Sequence, residues 1–349
     1  RICKGTARYT ATFRPEIASY ASTSTIYDNY QEFYNYTVTQ ADEDVVLLVR
    51  ADGISGATSY TAETGQVLTN TANYDSKTKL CSHFDGANGA KAYTDPIVGA
   101  WTFVGTAHLS TAQKKFGTAS LLLDGNSDYV ALPDSDDWNF GTGDFTIDFQ
   151  FKRNSINTAA WIGFFGQCNS SGTDLAFAAN ILSASEGAAN KIQINIGGGH
   201  SILSSSAVAD TNWHHFAVVR SGNTLTMYID GTSVGTNNVT GYSLANSSSL
   251  LCFGRYGEYS RYFDGFIDEL RISKGIARWT ENFTPNYYPY GQAALSTYHK
   301  KFGLSSLWFD GCGSNVTIPD SDDWSFGTGD FTIDCWVYNT QHNTYQGVA

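Results

Sequence analysis

Two adjacent histidines, His214 and His215, are the pair in this 349-residue sequence that most resembles a chelating motif. They lie in an apolar run that reads as a strand, where neighbouring side chains point to opposite faces, so they cannot grip one ion together. Packing and hydrogen bonding are their expected roles. Asp144 and Asp148 stand four apart in a segment whose Phe145, Ile147, Phe149 and Phe151 alternate with Thr146, Asp148, Gln150 and Lys152. Alternation places both carboxylates on the polar face, and two carboxylates on one face can flank a glycosidic bond as acid and nucleophile. The competing reading of the pair is a solvated strand face. Between two apolar runs, Arg255-Tyr256-Gly257-Glu258-Tyr259-Ser260-Arg261-Tyr262 gathers three tyrosines and two arginines. Aromatic faces stack on sugar rings and guanidinium groups add directed hydrogen bonds. Arg255, Tyr256, Tyr259 and Tyr262 are therefore the candidate ligand-binding residues, with Trp161 as a lesser one. Their alternative role is a hairpin whose rings cover a sheet edge. Gly197-Gly198-Gly199 lacks the Lys-Ser/Thr and the helix of a phosphate loop and reads as a hairpin turn. No Ser/His/Asp order is legible.

Composition narrows the partners. The formal net charge is −12. Such a surface offers no basic patch for releasing phosphate counterions, so nucleic acid is not an expected partner. The longest apolar stretches, such as Val45–Val49, are far too short to cross a bilayer. The six cysteines, at 3, 81, 168, 252, 312 and 335, have no metal-ligand spacing. Internal repeats align Cys3 with Ser273, Cys312 with Asn126 and Cys335 with Phe149, which is no shared disulfide framework, so most are expected as free, buried thiols.

Those repeats organise the chain. Ala107–Lys152 and Ala293–Tyr338 align without a gap at an offset of 186, and one position differs between Pro133 and Asp148. Arg1–Tyr20 repeats Arg271–Tyr290, and Val46–Tyr60 resembles Lys79–Tyr93 at an offset of 33. The expected layout is closing strands of a preceding repeat at 1–20, a Tyr-rich connecting region with a partial repeat at 21–77, a complete domain at 78–290, and the first part of a following repeat at 291–349. Tyr27, Tyr30, Tyr34 and Tyr36 mark the connecting region. A piece of a longer tandem array is the expectation.

The elements that must position these residues are strands. Ser, Thr, Asn and Gly are abundant, aromatic residues make up 14%, and no long run has helical spacing. Ile192, Ile194 and Ile196 alternate with polar residues. Phe216–Arg220, Ser221-Gly222-Asn223 and Leu225–Ile229 read as a hairpin. Phe266–Ser273 reads as a strand with Phe266, Asp268, Leu270 and Ile272 on one face. Lys274–Asn282 has room for one helical turn. Many short strands with frequent turns predict an all-β, two-sheet antiparallel sandwich.

Four ordered signatures carry a family resemblance: His83-Phe84-Asp85-Gly86; Lys115-Phe116-Gly117 leading into Leu122-Leu123-Asp124-Gly125; Trp213-His214-His215-Phe216 with Tyr228-Ile229-Asp230-Gly231; and Phe263–Ile272. The segment resembles laminin-G-like domains of the concanavalin-A-like lectin/glucanase superfamily. The resemblance implies a jelly roll. It also implies a structural calcium, with Asp85 and Asp268 as matching ligands and Gly86 as a carbonyl donor. Independently, a buried Asp268 needs a partner: a hard cation, an arginine or backbone N–H groups. Glycan-cleaving relatives carry a Glu-x-Asp-x-(x)-Glu strand, and the strand here has no Glu. The wording of the repeats resembles large virion proteins of tailed bacteriophages. That resemblance implies a non-catalytic adhesive module, virion-borne or extracellular, binding a glycan or cell-surface receptor and other virion or assembly subunits. A glycan-degrading enzyme using Asp144 and Asp148 and a purely structural spacer are the alternatives.

Overall fold

The computed structural model describes residues 74–156, 160–285, 293–296, 300–301, 305–309 and 314–338, and the backbone of strands at 2–4, 45–47, 59–61 and 67–71. The tyrosine cluster at 27–36 lies outside the described residues. The chain divides into two compact units, one of Asp75–Tyr290 and one of Arg1–Tyr74 with Gly291–Ala349. Among the described residues no helix is long and apolar enough to cross a membrane.

The unit Asp75–Tyr290 is a two-sheet antiparallel sandwich. One sheet runs Thr232–Asn238, Thr224–Ile229, Trp213–Ser221, Phe145–Arg153, Asp264–Lys274, Ser120–Asp124, His108–Ser110, and Thr78–Ser82 also pairs with Asp264–Lys274. The other runs Ser201–Ala207, Lys191–Asn195, Leu175–Ile181, Ile162–Cys168, Leu251–Phe253, Tyr129–Leu132, Thr102–Val104. The predicted turns are present: Ser221 pairs with Thr224, and Gly197-Gly198-Gly199 joins Asn195 to Ser201 with all three glycines at positive φ.

Alternation places the core. Phe145, Ile147, Phe149 and Phe151 are fully buried. Phe149 and Phe151 meet the other sheet edge to face, with Phe149 centred 4.9 Å from Phe164 and 5.7 Å from Phe253. Each such ring contributes about 2–3 kcal/mol on burial, more where ring geometry is favourable.

Three expectations are corrected. No helical turn forms at 274–282; short 3₁₀ turns lie instead at Asp136–Trp138, Ala184–Glu186 and Asp322–Trp324. The outer face around Asp148 is not solvated. The chain after Lys274 folds back over it, packing Ala277, Trp279 and Phe283 on Ala217, Val219 and Tyr228. Finally, Asp268 does not share a face with Leu270 and Ile272. The ladder slips between Asp148 and Gln150, Glu269 takes φ +50°, and Ile267 joins Leu270 and Ile272 in the core. A bulge of this kind reverses facing on one side of itself.

In the other unit, Ile2–Lys4 lies between Val45–Leu47 and Phe331–Ile333. Val67–Thr71 lies between Ser59–Thr61 and Asn315–Thr317, and Ala294–Ser296 pairs with Ser306–Trp308.

Candidate functional site

The segment from Arg255 to Tyr262 links Leu251–Phe253 of one sheet to Asp264–Lys274 of the other, so it crosses the rim of the sandwich. A single antiparallel bridge between Arg255 and Tyr262 closes it as a loop. It packs directly on the strand Ile162–Cys168. A Cβ on Gly163 would strike the backbone at Tyr256 and Arg261, and one on Gly257 would strike Cys168. Glycine at these two positions lets the loop backbone touch the strand.

The four predicted residues fall into two groups. Tyr256 and Tyr259 join Trp161 in a cluster in which Tyr256 meets both partners edge to face. Tyr256 lies 5.5 Å from both partners, and Tyr259 lies 6.4 Å from Trp161. Arg261 reaches over the Trp161 ring at 5.1 Å. All three rings are half-buried, and Arg261 is exposed. Asn195 Nδ2 donates to the Tyr256 hydroxyl at 3.1 Å, and burial pushes that hydroxyl up to about 12. The ring thus stays a neutral, oriented donor. Such a cluster presents π faces beside a cation and a fixed hydroxyl, the elements that orient a sugar ring.

Arg255 and Tyr262 form the other group, with Tyr129. The Arg255 guanidinium sits 3.6 Å from the centre of the Tyr129 ring, and Tyr262 stacks on that ring at 6.5 Å. Arg255 is 8% exposed and donates to Cys252 Sγ at 3.4 Å. Arg255 therefore anchors the loop from beneath, while Arg261 is the arginine on the surface. Tyr129 and Asn195 belong to other strands, and no local signal ties them to this loop.

The candidate catalytic pair is separated by function. Asp144 Oδ1 accepts from Gly222 N at 2.7 Å at a hairpin. Asp148 is fully buried and accepts from Arg271 Nε and Nη2 at 3.0 and 3.1 Å, with His215 Nε2 at 3.4 Å. Burial raises its carboxyl, but the Arg271 charge and the His215 bond outweigh it and bring it to about 2. Trp279 covers the group, 5.4 Å from the Arg271 guanidinium and 5.5 Å from the His215 ring. A permanently ionised carboxylate with no solvent access neither attacks an anomeric carbon nor donates a proton to a leaving group. The two histidines part as expected, His214 bonding Asp210 at 2.9 Å and Asp230 at 2.7 Å.

Asp85 and Asp268 converge on the loop Lys115–Ala119. Asp268 Oδ2 accepts from the amides of Lys115 and Phe116 at 2.7 and 3.1 Å, and its Oδ1 from Glu269 N at 2.9 Å. Asp85 Oδ1 accepts from Thr118 N, from Thr118 Oγ1 at 3.0 Å and from Ala119 N at 3.2 Å. Burial, then the Glu269 charge, pushes the Asp268 carboxyl well up, with Asp85 adding to it. Glu269 is held by His83 Nδ1 at 2.9 Å. Among the described residues no three His, Cys, Asp or Glu side chains cluster to hold a metal. Asp85 and Asp268 thus come from different elements of the fold and meet at the amides of one loop. Of the cysteines described, Cys81, Cys168 and Cys252 are free and buried, while Cys335 is free and exposed.

Residues 124–281 match the family model of the concanavalin A-like lectin/glucanases superfamily. No curated protein matches the sequence. Among solved structures, the chain is similar to domain 4 of AbnA, a GH43 extracellular arabinanase from Geobacillus stearothermophilus, in complex with arabinotriose. The identity is 18% and the TM-score 0.40, over 58% of this chain and 95% of that one. It is also similar to the binding domain of Paraclostridial mosquitocidal protein 1, at 11% identity and TM-score 0.44 over 60% of this chain and 50% of that one. The binding domain of botulinum neurotoxin DC in complex with SialylT matches at 14% and 0.44, over 58% and 50%. The chain spans about half the length of the two toxin domains. The family match lies within the unit Asp75–Tyr290, whose paired antiparallel sheets form a jelly-roll sandwich.

Proposed function

We propose that the chain is a non-catalytic adhesive module of a virion or comparable extracellular assembly, and that it binds a glycan through the rim loop. The observation that carries the reading is the half-exposed Trp161, Tyr256 and Tyr259 cluster with Arg261 beside it. The burial of Asp148 and its ion pair with Arg271 favour binding over cleavage. A glycan array with the full chain tests it. Binding to at least one saccharide class is expected, falling about tenfold in Trp161→Ala or Tyr259→Ala, the value of one lost stacking contact. Absence of binding across the array, or affinity unchanged in both variants, overturns the glycan reading and leaves the structural spacer.

A structural calcium ion belongs to the same proposal, with Asp85 and Asp268 as carboxylate ligands and Gly86 as a carbonyl donor. What supports it is the meeting of two carboxylates whose partners are amides and a hydroxyl, and the raised Asp268 carboxyl. A cation there would relieve the repulsion. Millimolar calcium should raise the melting temperature by several degrees over a chelator control, as a ligand specific to the folded state does. Asp85→Asn should abolish the difference. Equal melting in calcium and chelator refutes the site.

A further inference from the structure

Six arginines lie between positions 75 and 290, and the side chains of five are engaged. Arg271 and Arg278 pair with Asp148 and Asp75. Arg153, Arg220 and Arg255 donate to Asn190 Oδ1, to the Gly141 carbonyl and to Cys252 Sγ. Arg261 differs. Its amide donates to Tyr259 O at 2.8 Å, but among the described residues its guanidinium has neither a hydrogen bond nor an ion pair. It is exposed and lies over the Trp161 ring at 5.1 Å. Stacking on a ring holds a guanidinium in place without occupying its N–H donors. Arg261 is therefore a positioned cation whose fork of donors is free.

The groups around it leave that charge uncancelled. The loop Arg255–Tyr262 contains one acid, Glu258. The Glu258 charge acts on the buried thiols of Cys168 and Cys252, where the Arg255 charge opposes it. Beside Tyr259 stands the turn Asn169–Thr173, which carries no charged residue. A Cβ on Gly172 would lie 2.8 Å from the Tyr259 hydroxyl, so turn and tyrosine are in contact. Ser171 Oγ and Thr173 Oγ1 lie 3.0 Å apart in this turn, and both residues are exposed. Ordered hydroxyls at that place suit the hydroxyls of a sugar ring laid against Tyr259. The chain as a whole has a net charge of −12 and repels an anion at long range. An anionic ligand is held on such a surface only where a cation is both fixed and free.

We infer that the rim loop takes an anionic saccharide, with the carboxylate or sulfate on Arg261 and the ring against Tyr259. The inference rests on the glycan reading of this loop and adds the class of ligand. The guanidinium fork matches the paired oxygens of either anion, and bonds of this kind are charge-assisted. A neutral saccharide draws no such advantage from the free fork.

The test presents the full chain with neutral, carboxylate-bearing and sulfated saccharides on one array. The saccharides retained are expected to be anionic. The strongest binder is then titrated as it stands and after carboxyl reduction or desulfation, which separates the two sources of charge. The neutralised form should bind about tenfold more weakly or worse, the value of a hydrogen-bonded charge. Arg261→Gln should lose as much against the anionic form and nothing further against the neutralised one. Raising sodium chloride from about 50 to about 500 mM should weaken the wild type and leave Arg261→Gln nearly unchanged. Lys91→Gln, which removes an exposed charge outside the loop, should bind as wild type does. Retention of neutral saccharides alone, or wild-type affinity of Arg261→Gln for the anionic binder, overturns the inference while the glycan reading stands. Silence across the whole array overturns both.

Discussion

Arg271 and His215 hold the Asp148 carboxylate beneath Trp279, and the energetics of that group follow from its closure to water. Removing one partner of a buried pair leaves a charge with neither solvent nor counter-ion. Arg271→Met should cost about 3–5 kcal/mol in urea-unfolding stability. The pH dependence has a definite sign. The Asp148 carboxyl falls from 3.8 to about 2 on folding, so the unfolded chain binds the proton more tightly. Its contribution is complete above the unfolded value and is lost as pH falls towards about 2. Arg271→Met should therefore shed most of the stability that the wild type loses over that interval. If the variant unfolds at wild-type urea concentrations, the pair does not stabilise the sheet. The sequence shows Asp148 on a polar face; it does not show that Trp279, far along the chain, covers that face.

At the scale of elements, legibility depends on whether a feature is periodic. Alternation and turn residues locate the strand Phe145–Arg153 and the hairpins at Gly222 and Gly197–Gly199. The bulge at Glu269 escapes, because its positive φ falls on a glutamate and not on the glycine that would announce it. Asp268 is consequently assigned to the wrong face by counting in twos. The rim loop is half legible. Its tyrosines and arginines are contiguous in sequence, but which arginine is buried depends on Tyr129, more than a hundred residues earlier. Gly163 offers a test of how the loop is held. Its missing Cβ lets the backbone at Tyr256 and Arg261 lie against the strand. Gly163→Ala should displace the loop, reduce glycan binding as much as Trp161→Ala does, and cost about 1–3 kcal/mol as overpacking. Wild-type affinity in Gly163→Ala would show that the cluster tolerates movement of its support.

For the whole molecule, the repeats disclose copies of one fold but not how they are threaded. A linear scan reads 46–60 as a partial duplicate within a connecting region, since nothing local links it to a partner beyond residue 290. Pairing supplies the link, joining Val67–Thr71 to Asn315–Thr317 across the complete unit. An inserted domain must fold with its ends together, and here the ends are tied by a bidentate Arg278–Asp75 pair beside the opening strand. Every strand of the two large sheets comes from Asp75–Tyr290, and so do the aromatic residues between them. Residues 75–290 produced alone should therefore unfold in one cooperative calorimetric transition, at the temperature of a matching transition in the full chain. Arg278→Ala should lower that transition in both, because the pair is only partly exposed and fastens the first strand to the last. A fragment that melts broadly, or well below the full chain, would mean that the inner domain borrows its stability from the chain on either side.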